Sequence, residues 1–476
     1  MKRLFFPFIL ATAVVAGQPA GYADCYSIIA GKAATADGSV LFAHHEDNAP
    51  KYATGMVQVP GTNHAAGDTV KLPLGTRIPQ VPTTYSYWWL MMPELSYSDA
   101  LLNEFGVAIA SDGCPSRENN PQITSGGIGD PVLRRLVVER ARTAREGVQL
   151  VGGLVDQYGY PASGRTLLIS DPQEGWMVGL VNGKHWVAAR VPDHTVACVA
   201  NTYSIGAVNL ADSNNFLGSA DLIQYAVQRG WYNPASGPFS FEAAYADPSA
   251  RTATGRQWKG LELLAAGPLP SPDARRPPFA VSPKVPLAVS HLIAVLRDPG
   301  ISAGLANNSS SVFQLRTGTP AEVRSVWWLA MGPGYTTPFV PFYLGMNEVP
   351  EQIAFGTGSG AFCNSCVVGA VFGPAYQLFR NLADWVERSP TARIGLVQSQ
   401  WRTLEQASFD LQSVIEGETA ARWVSQPATA RELLRRYCGG TLTRAMQQAS
   451  ELMQAPPPNT NTNATVSQPP ATVTGQ

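Results

Sequence analysis

Cys25 is the residue that most constrains this chain, because it stands where an export signal ends. Residues 1–23 have a basic start, an apolar run over residues 4–16 that is too short to span a bilayer, and a small residue at the end. We expect residues 1–24 to be a signal peptide with a residual propeptide. Removal of Asp24 would then leave a cysteine with a free α-amino group.

Such a cysteine holds a nucleophile and a base in one residue. A thiol of ordinary pKa about 8.5 lies beside an amine of pKa about 7.7–8.0. The amine can take the thiol proton directly or through one water. Two other interpretations of Cys25 remain: a small buried side chain or half of a disulfide. A lipid-anchor cysteine is disfavoured, because Asp24 occupies a position where a small neutral residue is needed.

The sequence after the cysteine predicts a β-hairpin. Residues 25–32 and 33–43 contain two short apolar runs around an Asp-Gly turn at residues 37–38. A polar cluster, His-His-Glu-Asp-Asn, follows at residues 44–48. Antiparallel pairing would bring this cluster back beside Cys25.

The polar cluster offers a carboxylate to the cysteine amine. Asp47 or Glu46 can orient a protonated amine and shift its pKa, although Glu46 also fits a solvated neighbour. The cluster can be drawn as a metal site as well. However, adjacent strand residues point to opposite faces, so His44 and His45 are poorly placed to share one ion. We expect neither a metal nor a cofactor.

Several short segments carry a family resemblance. Residues 25–39 read Cys-x-x-Ile-Ile-x-Gly-Lys-x-Ala-Thr-x-Asp-Gly-Ser, and Glu-Asp-Asn follows. Further segments occur in order at residues 103–109, 139–146, 171–176, 185–193, 326–328 and 338–343. Together they resemble the dipeptidase A and secernin family of cysteine peptidases, from residue 25 to about residue 450. That family stands with the penicillin V acylases and bile salt hydrolases among the N-terminal nucleophile hydrolases.

The resemblance implies a role for particular residues. Cys25 would be the nucleophile and, through its amine, the base, and Asp47 the carboxylate that holds both groups. Asn103 and Asn201 match the two side chains that line the oxyanion hole in the related acylases. Without the resemblance, both asparagines read as ordinary strand-end caps or turns.

Two positively charged positions follow from the same resemblance. The related acylases carry an arginine three residues before the matching aspartate, and this chain has His44 there. Because an ordinary histidine is only partly charged near pH 7, we expect the local electrostatics to differ. A second family arginine falls within residues 251–256, where we favour Arg256.

The fold class implied by the resemblance is α+β, a four-layer αββα sandwich. Residues 25–454 would form one catalytic domain, and the Pro/Thr/Asn-rich residues 455–476 a disordered tail. Of the 476 residues 45% are hydrophobic and 14% charged, against an average of about 25% charged, which suits a large core. The net charge of −1 implies no nucleic-acid partner, and no second apolar stretch is long enough to span a membrane.

Local patterns predict elements that fit such a sandwich. Asp130-Pro131 begins a helix whose apolar face continues to a stop at Gly147. Other patterns predict strands at residues 166–170, 176–181, 186–191 and 195–200, and helices at residues 401–420 and 441–454.

The six cysteines limit the disulfides. If Cys25 stays free, five cysteines remain, which allows at most two disulfides and one spare thiol. Cys363-x-x-Cys366 has the spacing of a redox or zinc pair, but one such pair alone is a weak signal, and a local disulfide or two buried thiols also fit it.

These observations predict a secreted or periplasmic dipeptidase that cleaves short peptides through a thioester. The alternative enzyme is an N-acyl amide hydrolase with the same machinery, and the non-enzyme alternative is an exported envelope-associated binding protein. The expected partner is a dipeptide or short peptide, and the sequence leaves a homo-oligomer open.

Overall fold

The computed structural model describes most of the chain after residue 24. It covers residues 25–48, 52–72, 75–92, 97–120, 126–249, 254–270, 276–318, 320–356 and 371–455. The predicted signal over residues 1–24, the Cys363 and Cys366 pair, and residues 456–476 of the predicted tail lie outside these ranges.

The strands, numbered in chain order, are β1 (Tyr26–Ala30), β2 (Val40–Asp47), β3 (Gly55–Val59), β4 (Thr62–Asn63), β5 (Thr69–Lys71), β6 (Arg77–Pro79), β7 (Thr83–Thr84), β8 (Tyr87–Met92), β9 (Tyr97–Asn103), β10 (Ala108–Gly113), β11 (Tyr160–Ser170), β12 (Gly175–Gly183), β13 (Trp186–Arg190), β14 (Val196–Val199), β15 (Phe216–Gly218), β16 (Ala280–Val281), β17 (Asn307–Leu315), β18 (Ser325–Ala330), β19 (Val340–Phe342), β20 (Phe355–Gly356) and β21 (Val371–Phe372).

The α-helices are α1 (Asp130–Arg140), α2 (Ala144–Tyr158), α3 (Leu222–Gln228), α4 (Phe241–Tyr245), α5 (Thr254–Leu264), α6 (Val289–Leu296), α7 (Ala321–Arg324), α8 (Pro374–Glu387), α9 (Pro390–Arg422) and α10 (Pro427–Gln454).

Most strands of the described residues belong to two antiparallel sheets. The first sheet has seven strands in the order β16-β14-β1-β2-β17-β18-β19. The second has eight in the order β15-β13-β12-β11-β10-β9-β8-β3. The predicted hairpin, β1 and β2, therefore lies at the centre of the first sheet, between β14 and β17.

The hairpin is buried on both faces. Ile28 on β1 is opposite Ala43 on β2, and every residue of both strands is buried. Gly38 takes a φ of 73° in the turn, a backbone conformation that glycine adopts without steric cost. The hairpin predicted from the Asp-Gly signal is thus confirmed.

The two sheets pack face to face, with helices on their outer sides. β1 contacts β10, β11 and β12 across the interior. Helices α1 and α2 cover the second sheet and enclose a core of their own. Helices α5, α6, α9 and α10 contact strands of the first sheet and share the larger core. The predicted α+β class with αββα layers is confirmed.

The prediction of one helix from Asp130 to Gly147 is wrong at its C-terminal end. The chain forms two helices, because Ala141 takes an extended conformation and ends α1. Thr143 then caps α2 by accepting a hydrogen bond from the backbone N–H of Glu146. Gly147 lies in the first turn of α2, where a Cβ would come within 2.9 Å of Val137. Close packing rather than helix termination accounts for this glycine.

The remaining predicted elements are present. The four predicted strands correspond to β11, β12, β13 and β14, and the predicted helices lie within α9 and α10. Both helices start further upstream, at Pro390 and Pro427, because proline is well suited to a first helical turn. Among the described residues, no helix combines the length and apolar character that crossing a membrane requires.

Candidate active site

Cys25 lies immediately before β1, at the buried centre of the first sheet. Its exposed fraction is 2%. Ser27, two residues later, is opposite His44 on β2 and Val199 on β14. Cys25 therefore meets the end of β2 on one side and the end of β14 on the other, as the hairpin prediction required. The backbone N–H of Asp47 lowers the pKa of the thiol, against the larger effect of burial.

Asp47 is held at the end of β2 by two side chains. Its Oδ2 lies 2.8 Å from Arg256 Nη2, and its Oδ1 accepts a hydrogen bond of 2.8 Å from Asn307 Nδ2. Burial raises the pKa of Asp47, and Arg256 and Asn307 oppose that effect. The structure thus brings together two predicted site residues, Asp47 and Arg256, and adds Asn307.

Arg256 reaches Asp47 from α5. Its Nε and Nη2 donate to the carbonyl oxygen of Ile301 at 2.9 and 2.5 Å. Its guanidinium carbon lies 5.5 Å from the ring centroid of Tyr26, the residue after Cys25. Arg256 is therefore held against β1, the strand that begins directly after Cys25.

His44 is the centre of a buried polar network between the sheets. Its Nδ1 lies 2.7 Å from Ser27 Oγ, and that hydroxyl donates to Asp112 Oδ2 at 2.6 Å. Its Nε2 lies 3.2 Å from Asp99 Oδ1 and 3.5 Å from Glu46 Oε2. Because the one hydroxyl proton of Ser27 goes to Asp112, Nδ1 is the donor to Ser27 Oγ.

The charge of His44 differs from the sequence expectation. Burial alone would lower its pKa, but the nearby carboxylates of Asp99 and Glu46 outweigh burial and raise the pKa to about 10. His44 is therefore an imidazolium at neutral pH. A fixed positive charge stands at the position where the resemblance places an arginine, and the expected loss of charge does not occur.

Glu46 is buried, with an exposed fraction of 1%, and is not a solvated neighbour. Its Oε1 accepts a hydrogen bond from Asn48 Nδ2. A carboxylate oxygen of Glu46, a ring nitrogen of His44 and Cys25 Sγ all lie within 4.8 Å of one another. Burial raises the pKa of Glu46 to about 7, although His44 opposes this.

The surroundings of Cys25 keep its thiol protonated. Burial raises the pKa of Cys25 well above its ordinary value, and the charges of Glu46, Asp112 and Asp47 raise it further. A thiolate is therefore not formed in advance, and nucleophilic attack needs a base close to the sulfur. The same three carboxylates favour a positive charge beside Cys25.

Asn103 is not where the resemblance placed it. It ends β9, and its Nδ2 donates to the carbonyl oxygens of Val138 and Ala141 at 3.0 and 2.8 Å. Its Oδ1 accepts from the backbone N–H groups of Phe105 and Val107. Both amide hydrogens are thus used at the end of α1, on the helix-covered side of the second sheet, so Asn103 has no donor for an oxyanion. Asn103 is therefore a residue that stabilises the turn at the end of β9, which is the interpretation that the sequence gives without the resemblance.

Asn201 does lie beside Cys25. It follows β14, whose pairing with β1 brings this position level with Cys25. Its backbone φ is 51°, a left-handed conformation that is uncommon outside glycine, and its Nδ2 donates to the carbonyl oxygen of Gly113 at 3.1 Å. Backbone strain of this kind concentrates at functional sites.

Two other interpretations can be checked against the structure. Asp171, in one of the segments of the resemblance, is a turn residue: it accepts hydrogen bonds from the backbone N–H groups of Gln173 and Glu174 and from the first backbone N–H of α2, that of Ala144. Among the described residues, the cysteines other than Cys25 are buried free thiols, namely Cys114, Cys198 and Cys438.

Four polar residues beside Cys25 and His44 were not predicted from the sequence. Asp99 and Asp112 lie on strands of the second sheet, and Ser27 and Asn307 on strands of the first. Each is buried, with an exposed fraction of at most 1%. The available signal was a carboxylate or amide inside an otherwise apolar strand, which is costly unless the group has a partner.

Comparison with known proteins places this site in a family. The model of peptidase family C69 matches residues 24–299, more than half of the 476 residues. A similar protein is the "Probable dipeptidase" of Latilactobacillus sakei, 28% identical over 362 residues that cover 69% of this chain and 75% of that protein. The "Probable dipeptidase A" of Streptococcus pyogenes serotype M1 is 23% identical over 455 residues, 83% of this chain and 93% of that protein.

Among solved structures, a mutant conjugated bile acid hydrolase from Clostridium perfringens has a TM-score of 0.34 and 10% identity, covering 71% of this chain and 100% of that chain. A similarity at this level has no bearing on the assignment, which depends on the family match. That match includes Cys25, Asp47 and Arg256, and the chain belongs to peptidase family C69.

Proposed function

We propose that this peptidase is an exported dipeptidase whose nucleophile is the thiol of an N-terminal Cys25. The observation that carries the proposal is the position of Cys25: a buried thiol at the very start of a central strand, with Asp47 and Arg256 at its side. The dipeptidase names of the relatives support the substrate class.

In the proposed mechanism the cysteine amine is the base. The raised pKa of the thiol means that a proton acceptor is required, and the freed α-amine of the same residue lies within reach. The sulfur attacks the peptide carbonyl, and Asn201 stabilises the negative charge on the carbonyl oxygen. The protonated amine then gives its proton to the leaving amine, and water hydrolyses the remaining thioester.

Export and trimming complete the proposal. Residues 1–23 have the composition of a signal peptide, and loss of Asp24 is needed to free the amine. Secretion or periplasmic delivery would place the enzyme where it meets external peptides. The carboxylates Glu46, Asp47 and Asp112 suit the proposal, because they would stabilise the ammonium that forms during the reaction.

The first experiment determines the mature N-terminus and the activity together. The purified exported protein is analysed by intact mass and N-terminal sequencing, and Cys25→Ala is compared with the native chain on a panel of dipeptides. We expect a mature chain that begins at Cys25, and loss of hydrolysis in the variant with an unchanged circular dichroism spectrum. Full activity of a chain that retains Asp24 would rule out the amine as base.

The same panel includes N-acyl amino acids, penicillin V and conjugated bile acids. Preference for these over dipeptides would assign the machinery to the alternative, an N-acyl amide hydrolase. Failure of every amide to be cleaved by a chain with a free Cys25 terminus would favour the exported binding protein instead.

A further inference from the structure

The polar atoms around His44 Nε2 share an unusual arrangement. His44, Glu46 and Asp99 each have one side-chain atom held by a neighbour: Nδ1 by Ser27, Oε1 by Asn48 and Oδ2 by Ser309. The second polar atom of each, His44 Nε2, Glu46 Oε2 and Asp99 Oδ1, is buried and makes no hydrogen bond of acceptable geometry. These three atoms converge, at 3.5 Å for His44 to Glu46 and 3.2 Å for His44 to Asp99.

The thiol of Cys25 joins this group from the neighbouring strand. Its Sγ, a nitrogen of His44 and a carboxylate oxygen of Glu46 lie within 4.8 Å of one another. Thiolate, imidazole and carboxylate are the ligands of Zn²⁺ in proteins, with bonds of about 2.0–2.3 Å. Ligand atoms this close need only small side-chain movements to surround one ion.

The surroundings of His44 match those of a metal-binding histidine. Such a residue donates its other ring N–H to a fixed acceptor, which sets the tautomer and aims the free nitrogen at the metal. Here Nδ1 donates to Ser27 Oγ, which donates in turn to Asp112 Oδ2. Nε2 is thereby directed at the carboxylates of Glu46 and Asp99.

We propose that Cys25 Sγ, His44 Nε2 and Glu46 Oε2 form a site for one thiophilic divalent cation such as Zn²⁺, whose binding reversibly blocks the nucleophile. Asp99 lies beside the site, and the fourth coordination position stays open for water. Binding replaces the thiol proton of Cys25 and the Nε2 proton of His44, so these protons are released and the ion competes with them. The sulfur that coordinates the ion cannot attack a carbonyl group.

The test measures metal binding without depending on catalysis. Mature protein freed of metal with a chelator is titrated with Zn²⁺ by calorimetry, and with Co²⁺ while the thiolate-to-cobalt absorption band is recorded. We expect one ion per chain, a thiolate band, and loss of both in Cys25→Ser. Glu46→Gln should weaken Zn²⁺ binding at least about tenfold, since loss of even an outer partner of a metal ligand costs about 10–100-fold.

Cys438→Ser provides the matched control, because this buried free thiol lies on α10, apart from the site, and its removal should leave the affinity unchanged. Circular dichroism and thermal melting establish that each variant is folded, and Asp112→Asn offers a second, milder perturbation of the same histidine. Unchanged Zn²⁺ affinity in Glu46→Gln and Asp112→Asn, or absence of a thiolate band, would overturn the proposal and leave His44 as a purely ionic partner of the two carboxylates.

Discussion

Asn103 and Asn201 show that the same type of side chain can serve two different purposes. Asn103 uses its whole amide to fasten the end of β9 to the end of α1. Asn201 is held in a left-handed backbone conformation beside Cys25. The resemblance assigned the same role to both, because a residue type in a short motif says nothing about which side of a sheet it faces.

This difference predicts different effects of two alanine substitutions. Asn201→Ala should lower kcat about 10²–10³-fold, the usual cost of losing one oxyanion donor. It should also cost about 1–2 kcal/mol of stability, because alanine fits the left-handed backbone of residue 201 poorly and the hydrogen bond to Gly113 is lost. Asn103→Ala should keep kcat but destabilise the fold by about 2–4 kcal/mol, because several buried backbone groups lose their partner. Steady-state kinetics and urea unfolding of both variants provide the measurement. Equal loss of kcat in the two variants would contradict the assignment.

Asp112 predicts a pH dependence of stability. Its pKa is raised to about 6 by burial, although His44 opposes this, against about 3.9 in an unfolded chain. A raised folded-state pKa contributes stability that is present below about pH 4 and lost as the pH rises through about 6. The native protein should therefore lose about 2–3 kcal/mol relative to Asp112→Asn between pH 4 and pH 7.

Urea unfolding of both proteins in chelator at several pH values measures this difference, and other titrating groups cancel in the comparison. The amide side chain of Asp112→Asn keeps an oxygen that can accept the hydrogen bond of Ser27, so the substitution removes the charge and little else. A constant difference in unfolding free energy across the range would show that Asp112 titrates normally.

At the scale of elements, the close packing of α2 on the second sheet depends on one glycine, Gly152. A Cβ at Gly152 would overlap with Cζ2 of Trp186, whose ring is held by a hydrogen bond from its Nε1 to Asp156. Gly152→Ala should therefore destabilise the protein by about 1–3 kcal/mol. Gly153, next in the same helix, has open space around its Cβ position, so Gly153→Ala should stabilise by up to about 1 kcal/mol.

Thermal melting of both variants checks this pair of predictions, since the substitutions are chemically identical and differ only in the face of the helix they occupy. A loss of stability in Gly153→Ala as large as in Gly152→Ala would mean that the contact with Trp186 is not what excludes a side chain from Gly152.

Elements were predictable from the sequence where local signals act. The Asp-Gly turn predicted the hairpin, and the apolar patterns predicted the later parts of α9 and α10 but not their starts at Pro390 and Pro427. The break between α1 and α2 was missed, because the apolar face continues through it while Thr143 restarts the helix with a cap. The order of the strands could not be predicted from the sequence either. β14 is the neighbour of β1 in the first sheet, although most strands of the second sheet lie between them in the sequence.

The site shows the same division. Cys25, Asp47 and Arg256 were predicted from the resemblance, and the structure brings Asp47 and Arg256 together. Asp99 and Asp112 lie on strands of the opposite sheet, and their approach to His44 depends on how the two sheets pack. The charge of His44 follows from that packing and has no local sequence signal.

At the scale of the whole molecule, the chain beyond the family match completes the fold. The match ends at residue 299, yet β17, β18 and β19 of the first sheet and α8, α9 and α10 follow it. Asn307, which holds Asp47, belongs to this later part. The first sheet is therefore built from both parts, and contacts between them should govern global stability.

A buried ion pair joins the two parts and gives the last prediction. Arg297, after α6, donates to both carboxylate oxygens of Glu405 on α9 at 2.6 and 2.8 Å, and Glu405 also accepts from the backbone N–H of Phe339. Glu405→Gln leaves a buried guanidinium without its counter-charge and should cost about 3–5 kcal/mol of unfolding free energy. Glu418→Gln removes the exposed partner of Arg422 on the same helix and should leave the unfolding midpoint nearly unchanged.

Because α9 supports the strands that hold Asn307, the loss in Glu405→Gln should appear as one cooperative transition in which activity and helical signal disappear together. Separate transitions for the two would show instead that the helical pair α9 and α10 unfolds independently of the catalytic sheet.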